Sequence, residues 1–181
     1  MLLDAAKSSL LVIDVQERLL PVMADPDRVV SKATILLRTA RELGVPICIS
    51  EQYPKGLGRT VPELAANDAA VFEKLSFSCW RDKAIKNHFI SLHETGRPQV
   101  IVAGIEAHVC VLQTCIDLAN AGFGVFAVAD AMSSRTTTSA DLALNRMRHA
   151  GVEVVNTEMA VFELLEKAGT LQFKTISPLI K

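Results

Sequence analysis

The chain has 181 residues, half of them apolar, and its 19 Lys and Arg nearly balance its 20 Asp and Glu, which leaves a formal net charge of −1 at pH 7. This length predicts a single domain over residues 1–181, and the apolar content excludes global disorder. Because the near-zero charge provides no sequence-wide attraction for nucleic acid or an anionic membrane, we expect a small-molecule partner.

Apolar strands alternate with amphipathic helices along the chain. The first strand, 9–15, is apolar except for Asp14 near its carboxyl end. Gly and Pro residues predict a long loop over 51–67. Further strands are predicted over 45–50, 71–77, 99–104, 125–129 and 152–155. Helices are predicted over 25–44, 81–95, 110–121, 139–150 and 157–168.

This alternation predicts an α/β fold, with a mainly parallel sheet of about six strands and helices on both faces in a three-layer αβα arrangement. Ligands in such folds bind at the carboxyl ends of the strands. No apolar run reaches the roughly 18 residues needed to span a bilayer, and residues 1–10 lack the pattern of a secretory signal. We therefore expect a cytoplasmic protein.

Cys110 lies between the clearest strand and the helix that follows it, within the segment QVIVAGIEAHVCVLQTC. A helix start lowers the pKa of a thiol, and a strand-to-helix turn is where α/β folds expose a nucleophile. The alternative is a small buried hydrophobic residue. We interpret Cys48 and Cys115, inside a strand and a helix, as packing residues.

Asp14 and Lys74 are the charged residues predicted to meet Cys110 at this edge of the sheet. Taken alone, Asp14 is typical of a helix cap and Lys74 of a solvated charge. If the strand of Lys74 lies beside the first strand, the three groups converge. The carboxylate then accepts the thiol proton, and the ammonium supports both anions.

Three separated motifs resemble the isochorismatase-like cysteine hydrolase family: LLVIDVQ at 10–16, FEKLSFSC at 72–79 and AGIEAHVCV at 103–111. Residues 51–64 and 104–110 resemble its isochorismatase domain-containing subgroup. The resemblance implies that Asp14 is the general base, Lys74 the supporting cation and Cys110 the nucleophile. It also implies a cis peptide bond between Ile105 and Glu106, and an oxyanion hole formed by the N–H groups of Glu106 and Cys110.

The chain departs from the related nicotinamidases after the second strand. Those enzymes carry an Asp-x-His metal motif there, whereas this chain has Glu51, Gln52 and Tyr53. We therefore expect no metal and no cofactor. Candidate substrate-pocket residues lie near the motifs in sequence, and they are Tyr53, Phe77, Trp80 and His108.

These features predict a hydrolase that acts on a small amide, carbamoyl compound or related ester through a Cys110 thioester. The alternative is a catalytically retired binding or regulatory member of the same fold. A dinucleotide-binding domain is excluded because no GxGxxG motif occurs. The apolar content also predicts a homo-oligomer, most simply a symmetric dimer.

Overall fold

The computed structural model describes residues 1–180 as six strands and seven helices. The strands are β1 (Ser8–Ile13), β2 (Ile47–Gln52), β3 (Ala70–Lys74), β4 (Gln99–Ile105), β5 (Gly124–Ser133) and β6 (Glu153–Val155). The helices are α1 (Pro26–Glu42), α2 (Pro54–Leu57), α3 (Lys83–Glu94), α4 (Leu112–Asn120), α5 (Thr137–His149), α6 (Thr157–Leu165) and α7 (Leu171–Ile176). The predicted α/β fold is confirmed.

All strand pairs in the sheet are parallel, in the order β3-β2-β1-β4-β5-β6. At the end of β1, Ile13 pairs with Ser50 on one side and with Gly104 on the other. The chain builds the sheet outward in one direction from β1 and in the other from β4. A crevice opens at such a reversal, beyond the carboxyl ends of the two strands.

The sheet is buried on both faces because its central strands are apolar throughout. On β1, Leu10 and Val12 face a core that includes α1 and α6, while Leu11 and Ile13 face a core that includes α3, α4 and α5. This alternation follows from the two-residue period of a strand. The prediction of helices on both faces is therefore confirmed.

Helix α1 begins where the sequence provides its capping signals. The Asp25 side chain accepts a hydrogen bond from the Arg28 N–H, and Pro26 occupies the first turn. The helix ends before Gly44, whose φ of +64° suits a residue without a side chain. No helix within residues 1–180 has both the length and the apolar character needed to cross a membrane.

Some predicted boundaries are wrong. Strand β5 continues beyond 129 to Ser133, and α6 ends at Leu165 because Glu166 adopts a left-handed φ of 58°. Helix α7 was not predicted. The strand of Lys74 does not lie beside β1, because β2 separates them, and the length of the lysine side chain bridges that gap.

Candidate active site

Asp14 lies just beyond β1, in the crevice between β1 and β4. Its backbone has a φ of 53°, a left-handed conformation that costs a non-glycine residue roughly 1–3 kcal/mol. The Asp14 N–H donates to the carbonyl of Ser50, which holds this turn against β2. Its side chain is completely buried. The fold therefore places a desolvated carboxylate at the predicted edge of the sheet.

Two donors of different kinds bind the two Asp14 oxygens. The Ser50 hydroxyl donates to Oδ1 at 2.7 Å, and the Lys74 ammonium donates to Oδ2 at 2.7 Å. The Lys74 side chain is also completely buried. A buried charge is tolerated only when it is paired and hydrogen-bonded, and each member of this pair satisfies that requirement for the other.

Lys74 is held as an ammonium by more acceptors than it has protons. Besides Asp14, its Nζ donates to Gln52 Oε1 at 2.7 Å and to the carbonyls of Phe77 and Ser76 at 3.1 and 3.2 Å. Burial alone would lower the pKa of Lys74, but the Asp14 carboxylate raises it above its ordinary value. Lys74 is therefore a fixed cation and not a proton acceptor.

Cys110 lies in a π-helical turn, Ala107–Val111, that connects β4 to α4. The residue is 5% exposed, and its thiol lies near enough to the Asp14 carboxylate for that charge to act on the thiol pKa. Burial is the largest cause of a strongly raised thiol pKa, the Asp14 carboxylate raises it further, and Lys74 opposes both. The expected lowering by the helix start does not prevail, so Cys110 rests as a protonated thiol.

Gly104 allows β4 to approach β1 closely at this site. Its φ is +120°, and a Cβ atom there would lie 2.1 Å from the carbonyl oxygen of Ile13, the residue before Asp14. The peptide bond between Ile105 and Glu106 is cis. The turn that carries Cys110 therefore starts within van der Waals distance of the backbone that carries Asp14.

Glu106, proposed from the resemblance to donate its N–H to an oxyanion, lies at the start of this turn. Its carboxylate accepts a hydrogen bond from Arg135 Nε at 2.7 Å, and its carbonyl accepts from the N–H groups of Val109 and Val111. Glu106 is thus held to the turn through its carbonyl and to Arg135 through its carboxylate. The oxyanion-hole role of Glu106 and Cys110 stays a prediction.

Positions 51–53, where nicotinamidases carry metal ligands, have other contacts in this chain. Glu51 Oε1 accepts from the N–H and hydroxyl of Thr60, and Oε2 accepts from Arg59. Although burial would raise the pKa of Glu51, these bonds hold it below its ordinary value. Gln52 binds Lys74, and Tyr53 donates its N–H to the Lys74 carbonyl. Within residues 1–180, no group of three His, Cys, Asp or Glu side chains could hold a metal ion.

The structure does not bring the four candidate pocket residues together. Tyr53 borders a cavity of about 550 Å³ together with Lys74, and Phe77 contributes its carbonyl to Lys74 while its side chain is exposed. Trp80 packs edge-on against Phe123, and it borders a different depression. His108 pairs through Nδ1 with the Ser134 hydroxyl, 2.9 Å away, and borders a third depression. Proximity in sequence to a motif did not predict which cavity these side chains border.

Sequence reasoning missed several polar residues around Asp14, Lys74 and Cys110. Ser50 and Gln52, at the carboxyl end of β2, contact Asp14 and Lys74. The Cys79 thiol lies 3.5 Å from the Ser50 hydroxyl, and burial raises its pKa to about 11. Position at the end of a strand beside β1 was the available signal for Ser50 and Gln52. Cys48 and Cys115 are buried in the core, where burial raises the pKa of each thiol.

A family model for the isochorismatase domain matches residues 8–159. The isochorismatase domain-containing protein 2 of Danio rerio is 41% identical over 179 residues, which cover 98% of this chain and 89% of the relative. The structure of the MAR1 ribonuclease of Caenorhabditis elegans aligns with a TM-score of 0.92 and 34% identity, over 99% of this chain and 92% of that one.

The YcaC protein of Escherichia coli, an octameric hydrolase of unknown specificity, aligns with a TM-score of 0.90 and 25% identity. The alignment covers 99% of this chain and 90% of that chain. The domain match spans both β1, which precedes Asp14, and the turn that carries Cys110. This chain therefore belongs to the isochorismatase family and has its hydrolase fold.

Proposed function

We propose that this protein hydrolyses a small amide, carbamoyl compound or related ester through a thioester on Cys110. The observation that carries the proposal is a buried ion pair beside a buried thiol: Asp14 binds the Lys74 ammonium at 2.7 Å, and its charge raises the pKa of the neighbouring Cys110 thiol. A carboxylate next to a thiol can accept its proton, and a neighbouring cation supports the negative charge that develops. These three residues are the proposed catalytic residues.

In the first step, the Cys110 proton moves to Asp14 as the sulfur forms a bond to the substrate carbonyl carbon. The carbonyl electron pair moves to the oxygen, where the N–H groups of Glu106 and Cys110 are proposed to receive it. The tetrahedral intermediate then expels the amine or alcohol, which takes the proton from Asp14. The acyl group stays on the sulfur.

In the second step, water attacks the thioester, and Asp14 accepts one of its protons. The intermediate expels the sulfur, which recovers the proton from Asp14 and leaves the free acid as product. Lys74 keeps its protons throughout because its N–H bonds are directed at Asp14, Gln52 and two carbonyls. Its proposed role is to stabilise the negative charge that develops at the site.

The ribonuclease among the structural relatives raises phosphodiester cleavage as a competing function. RNA carries one negative charge per nucleotide, so its binding requires a cationic surface. The chain has a net charge of −1, and at the cavity beside Lys74 the cations Lys55 and Arg81 are matched in number by the carboxylates Glu73 and Asp82. This balance favours a small substrate without phosphate groups. We propose no nucleic-acid partner and no membrane partner.

We also propose a cytoplasmic protein that assembles as a homo-oligomer. The octameric relative supports the assembly. Light scattering at micromolar concentration checks it, and a monomer at all concentrations contradicts it.

The thioester is tested by trapping it. We expect a rapid quench of the protein with p-nitrophenyl acetate to leave an acetyl group on the Cys110 peptide, identified by mass spectrometry. Cys110→Ala should lack the adduct and release p-nitrophenol at the background rate. Cys115→Ala should form the adduct and release p-nitrophenol as fast as the unaltered protein does. An adduct elsewhere, or full turnover by Cys110→Ala, would falsify the proposed nucleophile. Cleavage of an RNA panel by the same samples would instead support the ribonuclease function.

A further inference from the structure

The backbone segment whose carbonyls accept hydrogen bonds from Lys74 is itself hydrogen-bonded to the helix that follows Cys110. This segment, residues 76–81, is called here the clamp segment. Its carbonyls at Ser76 and Phe77 accept two of the bonds from the Lys74 ammonium. The position of the cation therefore depends on where this segment is held.

Thr114 joins the clamp segment to the nucleophile through one hydroxyl group. Its Oγ1 donates to the carbonyl of Cys110 at 2.7 Å and accepts from the N–H of Cys79 at 2.9 Å. Thr114 is completely buried, so water does not compete for either bond. One hydroxyl thus fixes the backbone of the nucleophile relative to the segment that grips its cation.

Asp117 makes a second attachment one turn further along α4. Its Oδ2 accepts from the Ser78 hydroxyl at 2.7 Å and from Arg81 Nε at 2.9 Å. Burial would raise the pKa of Asp117, but these bonds hold it below its ordinary value, so it acts as a carboxylate acceptor. Residues three apart on a helix lie on one face, so Thr114 and Asp117 face the same segment.

We propose that Thr114, assisted by Asp117, is a positioning residue that holds the Lys74 ammonium at the Asp14–Cys110 pair. This inference rests on the proposed thioester chemistry. The Thr114 hydroxyl does not touch the reacting atoms, and it acts through the clamp segment. Its loss leaves the Cys79 N–H and the Cys110 carbonyl without their buried partner, which allows the clamp segment and the cation to move.

Thr114→Val tests the hydroxyl because valine has nearly the same shape and no polar atom. We expect the rate of acetylation of Cys110 by p-nitrophenyl acetate to fall about tenfold, which corresponds to about 1.4 kcal/mol in the activation free energy. Amide hydrogen exchange in residues 76–81 should become faster. Thr114→Ser keeps the hydroxyl and should restore the acetylation rate to within about twofold of that of the unaltered protein.

Thr39→Val is the matched control for removing a buried threonine hydroxyl. Thr39 is completely buried in α1, and its Oγ1 has no hydrogen-bond partner within residues 1–180. This variant should keep the acetylation rate and the exchange in 76–81 of the unaltered protein. If Thr114→Val does not fold, the same two measurements are made on Asp117→Asn. Asp117 lies at the more exposed end of the attachment, so its substitution disturbs the core less.

Three outcomes overturn the inference. They are an acetylation rate in Thr114→Val equal to that of the unaltered protein, equal losses in Thr114→Val and Thr114→Ser, and unchanged exchange in 76–81. The proposed function fails separately, if the Cys110→Ala protein still becomes acetylated at another residue and hydrolyses p-nitrophenyl acetate at the normal rate. An inactive Cys110→Ala beside a fully active Thr114→Val refutes only the positioning role.

Discussion

Two aspartates near the carboxyl ends of β1 and β5 have different surroundings. Asp130, on β5, accepts from the N–H and hydroxyl of Thr157 at the start of α6, and its cation Lys32 lies 3.9 Å away. Asp14, beyond β1, is completely buried and contacts Lys74 at 2.7 Å. The Asp130 side chain is 26% exposed, so water screens its charge. Asp14 thus carries a desolvated charge beside the Cys110 thiol, while Asp130 binds the first residue of a helix.

The comparison shows what residue type alone does not reveal. A helix cap was the alternative for Asp14 in the sequence. Asp130 has a related structural role, since it accepts from the first residue of α6, while Asn156 is the N-cap of that helix. The two carboxylates differ in the strand order around them. Asp14 lies at the reversal between β1 and β4, with Cys110 on the adjacent turn, whereas Asp130 lies outside that crevice.

The largest expected difference between the two regions is catalytic. Asp14→Asn should lower the turnover of p-nitrophenyl acetate about 10²- to 10⁴-fold, because the amide cannot accept the thiol proton. Asp130→Asn, the matched control, should retain turnover and lose only stability, since it weakens the hydrogen bonds that Asp130 accepts from Thr157 at the start of α6. Steady-state kinetics with both purified variants check this. Equal turnover in the two variants would remove the proposed base.

Removing the cation beside each aspartate should change the free energy of unfolding by very different amounts. Lys74→Met leaves the Asp14 carboxylate buried without its partner and should lower the free energy of unfolding by roughly 3–5 kcal/mol. Lys32→Met, beside the partly exposed Asp130, should change it by at most about 1 kcal/mol. Urea denaturation measures both changes.

A third variant sharpens this test of Lys74. Adding Asp14→Asn to Lys74→Met removes the unpaired charge and should recover part of the lost stability. No recovery would mean that Lys74 stabilises the fold through packing and its other hydrogen bonds instead.

The next effect concerns the close approach of β4 to β1. Gly104→Ala places a Cβ atom 2.1 Å from the Ile13 carbonyl oxygen in a backbone conformation that disfavours side chains. We expect a loss of roughly 2–4 kcal/mol in the free energy of unfolding, together with lower turnover, since the strands must separate.

Gly44→Ala is the control for the part of the Gly104→Ala effect that comes from backbone strain alone. Gly44 also has a positive φ, of +64°, but no atom lies within 4 Å of the added Cβ. The backbone strain alone should lower the free energy of unfolding of this variant by roughly 1 kcal/mol, and the variant should keep full turnover. If the two variants are equally stable and equally active, the close approach at Gly104 does not shape the site.

Much of the fold follows from local sequence pattern. The apolar run of β1 and the signals at the ends of α1 depend on neighbouring residues alone, and they predicted a strand and a helix at these positions. Helix α7 (Leu171–Ile176) was missed because it is short and its cap, Thr170, resembles any polar loop residue. The end of α6 was misplaced because a left-handed Glu166 has no sequence signature.

The candidate site is less accessible to such reasoning, because its polar contacts cross strands. Nothing local to Ser50 or Gln52 indicates that one binds Asp14 and the other Lys74. Strand order decides these contacts, and order is a long-range property. Lys74 shows the same limit, since the sequence could place it near Asp14 only on the condition that its strand lies beside β1, and its strand lies one further away.

The smallest predicted effect comes from a buried polar group that, unlike Asp14, lacks a partner. His88 lies between the rings of Phe72 and Phe89, and its buried Nε2 atom has no hydrogen-bond partner within residues 1–180. Burial lowers the pKa of His88 from 6.5. Below pH 6.5 the unfolded chain therefore binds a proton that the folded chain resists, so stability falls as pH decreases, by at most about 1.4 kcal/mol per pH unit. His88→Phe should flatten this slope in urea melts between pH 7 and pH 5. If the slope of unfolding free energy against pH is unchanged in His88→Phe, other groups cause the acid sensitivity. The buried His88 then has no measurable effect on how stability depends on pH.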